Sequence, residues 1–156
     1  MRAAQRRRHP ATDESGTAIV EFVWLAILLL IPLVWVVLSV FEVQRGAFAV
    51  DAAARSAGRA YSLAPNEAIA RERAESVVAL VLADQGAEGM RARVRISCTP
   101  FPDDCLVGTS TIRVRVESSV DLPWVPAFMD ARPRFALSAE HLVPVGQYVQ
   151  GSGGEP

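Results

Sequence analysis

Residues 22–41 read FVWLAILLLIPLVWVVLSVF, and only Pro32 and Ser39 in that run are not plainly apolar. As an α-helix, about 20 residues cover about 30 Å, the thickness of a bilayer's hydrocarbon core. The run therefore predicts a membrane-spanning helix. The chain has 156 residues, so this span and the residues before it leave room for one small domain and not for a large enzyme core. The composition is 51% hydrophobic and 21% charged with a net charge of −1, which excludes an acidic or basic disordered tail.

The flanks of the run give an orientation. Arg2 and Arg6 to Arg8 precede it, whereas Glu42 and Arg45 follow it with no net charge. The positive-inside rule places the N-terminus in the cytoplasm and residues beyond about 42 outside the membrane. A secretory signal is the competing interpretation, with Ala47-Phe48-Ala49 as a small-x-small cleavage triplet. Its apolar region would be unusually long, and Glu42, Gln44 and Arg45 separate the triplet from it. All 16 basic residues are arginine and 17 acids balance them. Apart from Arg6 to Arg8 they are scattered, so no basic stripe stands ready for phosphates and no nucleic-acid partner is expected. Without lysine, cross-linking through a side-chain amine is impossible.

Ahead of the run stands Gly16-Thr17-Ala18-Ile19-Val20-Glu21-Phe22. A carboxylate at the mouth of a membrane helix is costly unless it stays hydrated at the interface or meets a partner. A basic leader, a glycine five residues before a glutamate, an aromatic residue after it and then an apolar helix together resemble the processing site of type IV prepilins of the Flp/Tad branch. The resemblance implies cleavage by a membrane prepilin peptidase between Gly16 and Thr17 on the cytoplasmic face. It also implies an assembly role for Glu21 and Phe22, the glutamate pairing with the N-terminal amine of a neighbouring subunit. Cleavage would create an amine on Thr17, four residues before Glu21 on the same helical face. An unpaired charge in lipid is penalised, so such a pair favours one axial register.

The similarity continues through Pro32, Glu42-Val43-Gln44-Arg45 and Ala52-Ala53-Ala54-Arg55-Ser56-Ala57-Gly58-Arg59. Over about the first 60 residues it is nearest the TadE-like minor pseudopilins, although Pro32 falls about one helical turn later after the glutamate than in that pattern. Pro32 removes a backbone donor, so a kink is expected there. Trp24, Leu28, Ile31 and Trp35 share one helical face, an assembly stripe or ordinary lipid contact.

Beyond the span, Val43, Ala47, Val50, Ala54, Ala57 and Tyr61 repeat at spacings of four and three, so the helix is expected to continue outward with a small-residue face inside. Arg45, Asp51, Arg55 and Arg59 mark its solvated side. Pro65 is expected to open a second helix, with Ile69, Ala70, Val77, Leu80 and Val81 as its apolar side and Gly86 near its C-cap. Alternation then predicts strands at 91–97, 111–120 and 134–143. The resulting fold class is α+β: a long bent N-terminal transmembrane helix extending into a pilin-like head with a second helix and a short antiparallel sheet. The segments are a basic leader at 1–16, the helix and its extension at 17–64, the head at 65–150, and a disordered tail at 151–156.

Cys98 and Cys105 flank a proline-rich loop outside the membrane, which predicts a structural disulfide. No four-ligand metal spacing appears, and Asp103-Asp104 reads more simply as a solvated loop tip than as a calcium site. The chain has no nucleophile elbow, phosphate loop or HExxH motif, and His141 has no sequence-local partner. Neither catalysis, a cofactor nor a small-molecule substrate is expected. Trp124, between prolines, plugs the end of a small core or anchors a partner. Two functional classes follow. One is a minor pilin-like structural subunit with the membrane, a prepilin peptidase and other Tad pilins and pseudopilins as partners. The other is an uncleaved single-pass adaptor or sensor with a small extracytoplasmic binding domain.

Overall fold

A computed structural model describes residues 15–122 and 134–147. Most of the leader, the turn containing Trp124 and the tail at 151–156 lie outside the described residues. The elements are α1 (Ser15–Ser62), α2 (Glu67–Asp84), β1 (Arg93–Thr99), β2 (Thr111–Asp121) and β3 (Arg134–Pro144). The fold is mixed α+β with a three-stranded antiparallel sheet in the order β1-β2-β3. Residues up to 37 and residues from 38 onward form two compact units.

In the first unit, apolar side chains of α1 are exposed on every side, among them Phe22, Trp24, Leu28, Leu29 and Leu33. A helix apolar all round finds its partner in lipid or in other helices, because water penalises each of these surfaces. α1 is long and apolar enough to cross a membrane. The helix continues through Pro32, whose missing N–H leaves the Leu28 carbonyl without its usual donor.

In the second unit, α1 turns a seam of small residues inward. Gly46, Ala49, Val50, Ala53, Ala54, Ala57, Gly58 and Tyr61 are buried. The expected seam was close to this, but Ala47 is exposed and Gly46, Ala49 and Ala53 take the inner positions. Close approach to the sheet explains the choice. A Cβ at Gly46 would lie 2.7 Å from Leu137 Cδ1, and one at Gly58 would lie 2.8 Å from Val143 Cγ2.

Pro65 does not open α2. Asn66 is the N-cap, its side chain accepting a hydrogen bond from the Ile69 N–H at 3.0 Å, and the helix starts at Glu67. An asparagine carbonyl satisfies one of the donors that every helix start leaves unpaired. The buried ridge is Ala70, Ala74, Val78 and Leu82. Leu80 is exposed rather than inside, because a straight i, i+4 ridge carrying two alanines packs nearer its neighbour than a stripe through Leu80. At the other end the Gly86 N–H bonds to the Ala83 carbonyl and the Ala87 N–H to the Leu82 carbonyl, with Gly86 at φ 66°. This is a Schellman closure, and the positive φ requires the glycine.

Strand alternation places Ile112, Val114 and Val116 of the central strand wholly inside. Val94 and Ile96 face them from β1, opposite Val116 and Val114. β1 runs two residues later than expected, from Arg93. The Ser118 hydroxyl bonds to the Arg91 carbonyl at 3.0 Å, so a side chain takes over there, while Cys98 and Thr99 pair with Ile112 and Thr111. β2 and β3 extend one residue beyond the expected ends.

Candidate functional site

The residues singled out by sequence fall into two groups, one at the start of α1 and one at the far end of the sheet. Gly16 and Thr17 belong to the first turn of α1, which begins at Ser15. Gly16 is therefore helical and not extended. The first four N–H groups of a helix lack intrahelical acceptors, so this turn is held by fewer backbone hydrogen bonds than the interior of α1. Glu21 and Phe22 follow on the exposed helix. Among the described residues Glu21 makes no ion pair within the chain, and Phe22 is 72% exposed. A carboxylate and an aromatic ring at the head of an apolar helix are thus both free to meet another molecule. Pro32 lies ten residues further along.

The second group is structural. Cys98 and Cys105 form a disulfide with Cα atoms 5.3 Å apart, and both are buried. The covalent link closes the loop between β1 and β2. The Cys105 N–H donates to the Glu67 carboxylate at 2.6 Å, tying the loop to the first turn of α2. A second tie reaches the end of β3, where Val145 N–H bonds to the Ser110 carbonyl at 2.7 Å and Thr109 N–H to the Val145 carbonyl at 3.2 Å. The Thr99–Pro100 peptide is cis. Asp103 and Asp104 sit in this loop, and among the described residues no group of three or more His, Cys, Asp or Glu side chains is arranged to hold a metal ion. His141 is half-buried on the inner face of β3 opposite Val114, beside α1 at Gly58.

Three features are not evident from the sequence. Arg45 does not merely face solvent: its guanidinium donates to the Gln85 carbonyl at 3.2 and 3.1 Å and to the Gly86 carbonyl at 3.1 Å. A cation at a helix C-terminus meets the unpaired carbonyls and the negative end of the dipole. The partners are some 40 positions apart, so no local pattern announces the pair. The second contact is Glu67 with the disulfide loop, hidden for the same reason. The third concerns Tyr61, which is fully buried with a hydroxyl that has no hydrogen-bond partner among the described residues. Burial pushes its phenol above the usual range, and the Glu67 charge adds to the effect.

Outward, the sheet carries alternating arginines and acids. Glu140 accepts from Arg115 at 2.7 and 3.1 Å and pairs with Arg113 at 3.2 Å. The Arg115 hydrogen bonds hold the Glu140 carboxyl below its ordinary range, with the Arg113 charge acting in the same direction. Arg95 pairs with Glu117 at 3.4 Å and Arg134 with Asp121 at 2.9 Å. These ladders are exposed and chiefly keep the open face soluble.

Comparison with family models, with curated proteins and with solved structures returns no match. The chemistry of the two groups therefore has to speak for itself. One offers a long apolar helix with a carboxylate near its start, and the other braces a small folded head.

Proposed function

We propose that this chain is a minor pilin-like structural subunit for Flp/Tad pilus assembly, processed by a prepilin peptidase after Gly16. The observation that carries the reading is α1 itself. One continuous helix, Ser15–Ser62, begins at the glycine-to-glutamate stretch, is exposed and apolar through its first unit, and packs against a sheet in its second. The arrangement suits a subunit whose membrane segment is handed from lipid to neighbouring helices while the head stays folded.

The N-terminus lies in the cytoplasm and the head outside, where a disulfide persists. The mechanism is non-catalytic. Helix packing and a contact from Glu21 to the Thr17 amine of a neighbouring subunit set the register, and the energy for assembly comes from another component. Co-expression with a Tad-type prepilin peptidase and intact-mass measurement of the membrane-extracted protein test this. A mass starting at Thr17, lost in Gly16→Val, is the expected result. A mass retaining the leader, in cells where the peptidase processes other substrates, would overturn it in favour of the uncleaved adaptor.

A further inference from the structure

The level of each end of β3 along α1 can be worked out from the contacts between the two elements. Gly46 of α1 lies against Leu137, and Gly58 lies against Val143. Residue numbers rise together on the two elements, so α1 and β3 run in the same direction. Twelve helical residues advance about 18 Å at 1.5 Å each. Six strand residues advance about 20 Å at about 3.4 Å each. The two elements therefore keep nearly equal pace.

Extrapolating from the Gly46–Leu137 contact, Phe135 lies about 7 Å further toward the start of β3. This brings it level with residues 41–42 of α1, about four or five helical residues before Gly46. Phe41 ends the apolar run, and Glu42 is the first charged residue after it. A second observation agrees: Glu42 lines one cavity of about 230 Å³ together with Ser119, Val120 and Asp121, and Phe135 pairs with Val120. Phe135 is 49% exposed although it stands on the inner side of the sheet. Beside it, Arg134 and Asp121 form an exposed ion pair.

We propose that this end of the sheet is a second membrane contact, with Phe135 at the boundary of the acyl chains and Arg134 among the headgroup phosphates. The headgroup zone is about 5–8 Å deep on each side of the core, so a ring level with Phe41 reaches it without any rearrangement of the head. An aromatic ring beside a long cationic side chain is the combination that suits an interface, apolar below and charged above. The head would then be held to the membrane at two points, α1 and the start of β3, which limits its swivel about α1. This inference rests on the membrane anchor in the proposed function, but not on cleavage or on a pilus.

The test uses the full chain in vesicles of zwitterionic lipid, with Trp24, Trp35 and Trp124 replaced by phenylalanine and one indole introduced at a time. F135W, F41W and L142W are compared, the last standing on the outer face toward the other end of β3. The expected result is that lipids brominated near the headgroup quench F135W about as strongly as F41W, while L142W responds only to aqueous acrylamide. A136W, exposed and next in the strand, replaces F135W if that variant does not fold. Lipid quenching of F41W with none at either F135W or A136W would overturn the second contact while leaving the anchor intact. Absence of lipid quenching at F41W as well would overturn the anchor and this inference together.

Discussion

Replacing Tyr61 with phenylalanine should make the head more stable. The ring is fully buried where α1 ends, and its hydroxyl has no partner among the described residues. Leaving a buried hydroxyl unbonded costs about 1–3 kcal/mol of desolvation. Tyr61→Phe removes that cost and keeps the ring, so a gain of about 1–2 kcal/mol is expected. For a domain of this size that corresponds to a rise in Tm of roughly 4–8 °C. Circular dichroism of the full chain in detergent micelles, followed through thermal unfolding at pH 7, measures it.

The pH dependence gives a second check. The folded-state pKa of Tyr61 is raised, by burial first and by Glu67 second. Below about pH 10 the phenol is neutral in both states and contributes no pH dependence. Above that value the unfolded chain loses the proton while the folded one retains it, so the wild type loses stability until the folded pKa is passed. The advantage of Tyr61→Phe should therefore widen above about pH 10. A variant destabilised by about 1 kcal/mol or more at pH 7 would refute the reasoning, since the hydroxyl would then be making a bond worth keeping.

Gly86→Ala should destabilise the head by about 1–2 kcal/mol in the same melt, because φ there is 66°. Reducing the disulfide, or making Cys98→Ser with Cys105→Ser, should cost about 2.5 kcal/mol by the chain-entropy model for a loop of this size. Equal denaturation midpoints with and without reductant would count against that bridge as a stabilising element.

The broad architecture was legible because it rests on local periodicity. The apolar run defined the long N-terminal helix, alternation around Val114 and Val116 defined the sheet, and two cysteines about a short loop defined the disulfide. What escaped was set by distant partners. Ala47 and Gly46 are nearly equivalent as sequence, and only the approach of Leu137 selects the glycine for the inside. Leu80 is more hydrophobic than Ala74, yet Ala74 is buried and Leu80 exposed, because the inward face of α2 is the straight ridge Ala70, Ala74, Val78 and Leu82. At the start of α2, Asn66 and not Pro65 forms the cap, since a side-chain acceptor is what the first turn lacks. Arg45 and Glu67 look like solvated charges until the chain brings a helix end and a loop amide to them. For Gly16, Thr17, Glu21 and Phe22 the sequence spacing remains the principal signal, and the structure adds their helical setting and the exposure of Glu21 and Phe22.

The small-residue seam of α1 has a mechanical consequence. A pull along the helix axis loads its contact with the sheet in shear, and glycine and alanine offer little relief for the facing side chains to catch. Gly46, Ala49, Ala53, Ala57 and Gly58 act as a smooth track, whereas Val50 and Tyr61, both buried, are the larger projections along it. Resistance to sliding is thus concentrated at those two positions. In a head tethered through this helix they are the detents, and the alanines between them set how closely the parts fit and contribute little to how hard they hold.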